Sequence, residues 1–141
     1  MRIIGLDLGE KRIGVAAADD RTQVAVPLTA VAGGNDPVAS ILRLLEEQEA
    51  DEVVIGLPLS MTGAVGPQAQ QALQVVDELR RRMAIPVETW DERLTTLQAR
   101  RSGPPRNRRG RRSEGEKGKR DAIAAAIMLQ AFLDSRRSAG A

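Results

Sequence analysis

The chain has 141 residues, a length that predicts a single domain with a substantial hydrophobic core. It contains no cysteine and no histidine, which excludes disulfides, thiolate nucleophiles, Ser-His-Asp catalysis and imidazole-bound zinc. Any bound metal is therefore expected to be a hard cation with oxygen ligands, namely Mg²⁺ or Mn²⁺.

The formal net charge of +2 conceals an uneven distribution. Residues 100–120 hold ten lysines and arginines against two glutamates, a local charge of +8. The remaining eleven basic and seventeen acidic residues give the rest of the chain a charge of −6. A slightly acidic body therefore carries one strongly basic segment.

Neither a membrane span nor an export signal is evident. No run of 18 apolar residues occurs, and the chain enters an apolar strand pattern at once, without a signal peptide. We therefore expect a cytoplasmic protein with no membrane partner.

The first half of the chain predicts three strands and a helix. Arg2–Leu8 is apolar except for one carboxylate, as in a strand covered on both faces. A second apolar strand follows at 13–18 and a third lies within 23–31, where Pro27 suits a sheet edge. The Asp36–Pro37 pair then predicts an N-cap and first helical residue, for a helix that runs to about residue 48.

The second half continues with alternating strands and helices. A strand at 52–58 precedes a helix that starts at Pro67, and a fifth strand occupies 85–90. Thr95 and Gln98 form a T-x-x-Q pattern that predicts a capping box at the start of a short helix. Residues 102–118 are basic, lack apolar side chains and predict a mobile loop before a final helix at 120–137.

This order predicts an α/β fold in one domain, residues 1–141. We expect a five-stranded mixed sheet, with its first three strands antiparallel and the later ones joined by parallel crossovers. Helices should cover both faces of this sheet.

Three acids lie where a structural role is awkward. Asp7 ends the first strand, Glu92 follows the fifth, and Asp121 shares the inward face of the last helix with Ala125 and Met128. If they converge, their mutual repulsion calls for divalent cations. The alternatives are a turn aspartate, a solvated strand end and a carboxylate near a helix N-terminus. Asp91 should point away from Glu92, because successive strand residues alternate.

Four signatures in order resemble the YqgF/RuvX family. They are Gly5–Gly9 with Lys11–Ala16, Val54–Pro58 with Met61 and Gly63, Asp91–Thr96, and Lys117–Ala126. Gly-x-Asp-x-Gly alone is a weak signal, but the four together span essentially the whole chain.

The resemblance implies a ribonuclease H-like fold in which Asp7, Glu92 and Asp121 are the catalytic, metal-binding acids. Many nucleases of this superfamily carry a fourth acid, often three residues beyond the last one. Ala124 stands at that position here, so the number of bound ions, one or two, stays open.

The expected activity is that of a metal-dependent endonuclease that hydrolyses phosphodiester bonds of structured nucleic acid. The resemblance implies 5′-end processing of pre-16S rRNA in ribosome biogenesis, with ribosomal precursor particles as further partners. One alternative is a Holliday junction resolvase that cuts branched DNA as a homodimer. Another is a non-catalytic nucleic-acid- or ribosome-binding module, and a monomer and a homodimer both remain open.

Basic and hydroxyl side chains around the acids suit phosphate contacts, with no base-reading pattern evident. Exposed turns, helix capping and a solvated charged loop are the structural alternatives for these positions. The candidates for nucleic-acid binding are Lys11, Arg12, Arg93, Thr95, Arg108, Arg109, Arg111, Arg112, Lys117 and Lys119.

Overall fold

In the computed structural model, which describes residues 1–60, 62–95 and 114–140, five strands form one mixed sheet. Its order is β3-β2-β1-β4-β5. The first three strands pair antiparallel, and β4 pairs in parallel with both β1 and β5, which confirms the predicted topology. The strands are β1 (Arg2–Leu8), β2 (Arg12–Asp19), β3 (Ala25–Ala32), β4 (Glu52–Leu57) and β5 (Val87–Asp91).

The long helices in the described ranges are α1 (Pro37–Glu47), α2 (Pro67–Arg82) and α3 (Glu114–Gly140), and residues 92–95 form a further helical turn. The predicted start of α1 is confirmed, since the Asp36 carboxylate accepts a hydrogen bond from the Ala39 amide at 3.1 Å. Pro67 begins α2, where its missing amide hydrogen costs nothing. No helix within these ranges is both long enough and apolar enough to cross a membrane.

Alternation along the strands divides the core into two layers. Ile4 and Leu6 of β1 pack on the face covered by α1 and α2. Ile3, on the opposite face, packs with Leu129 and Phe132 of α3. Helices therefore cover both faces, as predicted, and the same alternation directs Asp7 to the α3 face.

Helix α3 begins earlier than the composition predicts. Residues 114–118, which we expected in the basic loop, are already helical. A Cβ atom at Gly118 would lie 3.6 Å from the Ala30 side chain, so this first part of α3 packs on β3. Tertiary packing thus overrides the low helix propensity of glycine. The remainder of the expected loop, 102–113, falls outside the described residues.

The capping box predicted at Thr95 is wrong. Residues 92–95 are already helical, so the turn starts directly at the end of β5. The Thr95 hydroxyl accepts a hydrogen bond from the Trp90 indole Nε1 at 2.6 Å. This hydrogen bond therefore connects the helical turn to β5. The other residue of the predicted box, Gln98, is not among the described residues.

Candidate active site

Asp7 lies near the end of β1, on the face that α3 covers. Its neighbour across the antiparallel pair is Gly14 of β2. On the other side, Ile55 of β4 is in register with Leu6, so Gly56 lies alongside Asp7. Glycine on both neighbouring strands leaves room above the sheet for groups that approach Asp7.

Glu92 uses the space above Gly56. A Cβ atom built on Gly56 would lie 2.5 Å from Oε1 of Glu92 and 2.9 Å from its Cγ. The Glu92 side chain therefore reaches from the end of β5 across β4. There it forms a side-chain hydrogen bond with Asp7. Two of the three candidate acids are thus in contact.

This contact changes the acidity of Glu92. Its pKa rises from the ordinary 4.5 to about 8. Burial is the largest cause, followed by the hydrogen bond with Asp7 and by the negative charges of Asp7 and Asp91. The hydrogen bond between two carboxyl groups requires a proton on one of them, so without a cation the pair resists full ionisation.

Asp121 reaches the same end of the sheet from α3. A Cβ atom at Gly14 would lie only 2.1 Å from the Asp121 carbonyl oxygen, so the helix backbone rests directly on β2. The Asp121 side chain accepts a hydrogen bond from Nε of Arg12, at 2.6 Å from its Oδ2. Both side chains are about one-third exposed, at 28% and 32%.

The three acids meet at one end of the sheet, but they do not form a ready metal cluster. Within the described ranges, no group of three or more acidic side chains is arranged to hold a metal ion. Asp7 and Glu92 form a hydrogen-bonded pair, whereas the carboxylate of Asp121 is bound to Arg12.

Asp91 has a different partner from Glu92, which agrees with its predicted structural role. Arg93 Nε donates to both carboxylate oxygens of Asp91, at 3.0 and 2.9 Å. These hydrogen bonds hold the pKa of Asp91 below its usual range. Arg93 also lies over Gly63, about 3.3 Å from the position of a Cβ atom there. The guanidinium that we expected to contact nucleic acid thus links β5 to the loop after β4.

The other predicted nucleic-acid contacts are spread over several elements. Lys11 lies in the turn before β2, next to Arg12. Lys117 and Lys119 lie on the first turns of α3, where Lys117 is half-buried and Lys119 is exposed. The four remaining arginines lie outside the described residues: Arg108, Arg109, Arg111 and Arg112.

Sequence reasoning missed the part that Gly14 and Gly56 play in shaping the site. Each glycine interrupts an otherwise apolar strand, a signal for close approach of another group. The strand pattern could have flagged both positions. It could not identify the approaching groups, because those come from β5 and α3.

Comparison with known proteins identifies the family. The family model described as "RuvX: Holliday junction resolvase" matches residues 1–135. A protein of Caldanaerobacter subterraneus subsp. tengcongensis is 39% identical over 143 residues, covering 98% of this chain and 99% of its own. One from Chloroflexus aurantiacus is 42% identical over 139 residues, covering 96% and 88%. Both relatives bear the name "Putative pre-16S rRNA nuclease".

Solved structures of low sequence identity share the fold. RuvC of T. thermophilus in complex with a Holliday junction has a TM-score of 0.58 at 16% identity, covering 98% of this chain and 96% of its own. The Fowlpox virus resolvase bound to junction DNA has a TM-score of 0.61 at 13% identity, covering 96% and 98%. These likenesses show the ribonuclease H-like fold, and the family model shows the relationship: this chain belongs to the RuvX family of nucleic-acid hydrolases.

Proposed function

We propose that the protein is a divalent-metal-dependent endonuclease that acts on structured nucleic acid, with the 5′ end of pre-16S rRNA as its substrate. The observation that carries the proposal is the hydrogen-bonded pair of Asp7 and Glu92 at one end of the sheet. Two carboxyl groups in contact, one with a pKa near 8, form a site whose full ionisation needs a cation.

Mg²⁺ or Mn²⁺ fits the chemistry of this pair. Carboxylate oxygens are the ligands that these hard cations prefer, and the described chain offers no histidine or thiolate to compete. We assign the metal to Asp7 and Glu92, with Asp121 as the third ligand, and leave room for one ion or two. When bound, the metal would supply an activated water and offset the charge on the leaving oxygen.

The chain itself contributes positioning and charge. Gly56 gives the Glu92 carboxyl its path to Asp7, and Gly14 seats the backbone of Asp121. Asp7 and Glu92 would hold the cation as carboxylates, and its positive charge would favour loss of the proton that their hydrogen bond requires. No protein nucleophile is required, which agrees with a chain that lacks histidine and cysteine.

Basic side chains near the acids suit the sugar-phosphate backbone. Lys11 and Arg12 lie four and five residues after Asp7, and Lys117 and Lys119 lie four and two residues before Asp121 on α3. Arginine and lysine at such positions hold phosphates without reading bases. We therefore propose recognition by shape and backbone, assisted by the basic segment between β5 and α3.

The choice of pre-16S rRNA is supported by the names of relatives that match this chain nearly end to end. With this substrate, we propose that the protein acts in the cytoplasm on ribosomal precursor particles. The description of the family model supports a second candidate, resolution of four-way DNA junctions. A resolvase must cut two strands symmetrically and hence act as a dimer. Sedimentation of a strict monomer in the presence of junction DNA would count against it.

The deciding experiment is a cleavage assay with Mn²⁺ or Mg²⁺ on two end-labelled substrates, a pre-16S 5′ leader RNA and a four-way DNA junction. Asp7→Asn tests the site. Asp77→Asn is the matched control, because this exposed acid lies on α2, on the other face of the sheet. Metal-dependent cleavage of the leader by wild type and Asp77→Asn, but not by Asp7→Asn, is the expected result.

Two other outcomes have definite meanings. Cleavage of the junction alone would favour the resolvase. Equal inactivity of wild type and Asp7→Asn on both substrates, with binding retained, would overturn the nuclease proposal and favour a non-catalytic binding module.

A further inference from the structure

Arg12 is the partner of the third acid, Asp121, within the described residues. It is the first residue of β2, two residues before Gly14, on which the backbone of Asp121 rests. Its guanidinium donates to Asp121 at 2.6 Å. The pair is partly exposed, at 28% and 32%, so water and dissolved ions can reach it.

Within the described ranges, the three acids are not grouped as metal ligands. Asp7 and Glu92 form a hydrogen bond with each other, and Arg12 donates a hydrogen bond to Asp121. The guanidinium therefore occupies, with one positive charge, the carboxylate that a divalent cation would need. A cation bound by all three acids has to compete with Arg12 for Asp121.

A phosphodiester offers Arg12 an alternative partner. Guanidinium groups bind phosphate oxygens through two parallel hydrogen bonds, so a phosphate can replace the Asp121 carboxylate that Arg12 contacts through Nε. Arg12 follows Asp7 by five residues through the tight turn in which the Gly9 amide donates to the Arg12 carbonyl at 2.9 Å. A phosphate beside Asp7 therefore lies within the neighbourhood of Arg12.

We propose that Arg12 exchanges Asp121 for a substrate phosphate, and that the freed Asp121 then joins Asp7 and Glu92 around the metal. The inference rests on the proposed function and adds a mechanism of regulation to it. Nucleic acid and metal bind cooperatively, and the metal site is weak until substrate arrives. By linkage, the factor by which nucleic acid strengthens metal binding equals the factor by which metal strengthens nucleic-acid binding.

The test is calorimetric titration of Mn²⁺ into the full-length protein without nucleic acid. Arg12→Ala is expected to bind Mn²⁺ about threefold to tenfold more tightly than wild type, because Asp121 no longer has a competing cation. Arg12→Met, which keeps the aliphatic part of the side chain, serves as the second variant if the alanine variant folds poorly. Arg81→Ala is the matched control, since it removes another 2.6 Å arginine–carboxylate pair, to Glu78 on α2.

A second measurement separates exchange from simple competition. Affinity for the pre-16S leader RNA is measured in Ca²⁺ and in EDTA. In wild type and Arg81→Ala, Ca²⁺ should strengthen binding. In the Arg12 variants, RNA binding in EDTA should weaken severalfold. The ratio of RNA affinity in Ca²⁺ to RNA affinity in EDTA should approach one.

The outcomes distinguish this inference from the proposed function. If wild type binds Mn²⁺ and loses binding on Asp7→Asn, while both Arg12 variants bind no more tightly than wild type, the exchange is overturned and the nuclease site stands. If neither wild type nor the Arg12 variants bind Mn²⁺, with or without RNA, the metal site fails and the exchange fails with it.

Discussion

The carbonyl oxygen of Asp121 rests on Gly14, at a place where any side chain would intrude. A Cβ atom there would lie 2.1 Å from this oxygen and 2.6 Å from the carbonyl carbon. Gly14 is also the register partner of Asp7. One residue without a side chain therefore lets α3 rest directly on β2, beside the strand that carries the first acid.

Gly14→Ala should destabilise the protein and displace Asp121. The obstructing atoms belong to the backbone, which cannot rotate away as a side chain does, so the helix has to move. We expect a loss of roughly 3 kcal/mol in the free energy of unfolding, measured by chemical denaturation. Metal-dependent cleavage should fall by more than tenfold.

Gly33→Ala is the control for this substitution. The nearest atom to a Cβ at Gly33 is the Lys11 carbonyl oxygen at 3.9 Å, an ordinary contact. The free energy of unfolding of Gly33→Ala should stay within about 0.5 kcal/mol of that of the wild type. Equal losses for the two alanine variants would show that the close approach at Gly14 has no special importance.

Gly56→Ala should impair the site without unfolding the protein. The atoms that the new methyl group meets are the Oε1, Cγ and Cδ of Glu92, the far end of a flexible side chain. Glu92 can swing away, but then it no longer reaches Asp7. We expect Mn²⁺ affinity to fall about 10- to 100-fold, measured by calorimetry, with a stability loss smaller than that of Gly14→Ala.

A double-mutant cycle identifies the cause of the stability loss in Gly56→Ala. In a Glu92→Ala background the methyl group at Gly56 meets no carboxylate, so the additional substitution should change stability little. A Gly56→Ala effect of the same size in both backgrounds would mean that the strand itself, and not Glu92, rejects the side chain.

The sequence predicted the elements well because their signals are local. The apolar run of β1, the Asp36 N-cap and the start of α2 at Pro67 depend on neighbouring residues alone. The same local logic failed at Thr95, whose hydroxyl bonds to Trp90 of the preceding strand. It failed again at 114–118, where packing of Gly118 on β3 stabilises a helix that composition argues against.

The acids could be picked out from the sequence, but their arrangement could not. Asp91 pairs with Arg93 rather than with Asp7, although Glu92 begins a helical turn and strand alternation does not extend to it. The hydrogen bond between Asp7 and Glu92 depends on β4 lying between β1 and β5 with glycine at its crossing point. Asp121 pairs with Arg12, which lies 109 positions away in the sequence, and no local pattern specifies that pairing.

Replacing Arg108, Arg109, Arg111 and Arg112 with alanine should weaken RNA binding and reduce its salt dependence. Each lost phosphate contact lowers the slope of log K against log salt by roughly 0.7 to 0.9. Filter binding across a salt series measures the slope. The control carries the same charge change on exposed arginines elsewhere: Arg21, Arg43, Arg81 and Arg137. Identical slopes for wild type and both variants would exclude the basic segment from phosphate binding.

The raised pKa of Glu92 predicts that metal-free protein loses stability as pH rises. The folded protein binds the Glu92 proton more tightly than the unfolded chain, with a pKa of about 8 against 4.5. This stabilisation is fully present below pH 4.5 and is lost as pH rises through about 8. Allowing for solvent screening, we expect the free energy of unfolding to decline by on the order of 2 kcal/mol, measured by denaturant unfolding in EDTA.

The control is Glu92→Gln, which still donates to Asp7 but cannot ionise, and its stability should depend much less on pH. Saturating Mn²⁺ should remove the decline in wild type. An equally steep decline in Glu92→Gln would assign the pH dependence to other groups.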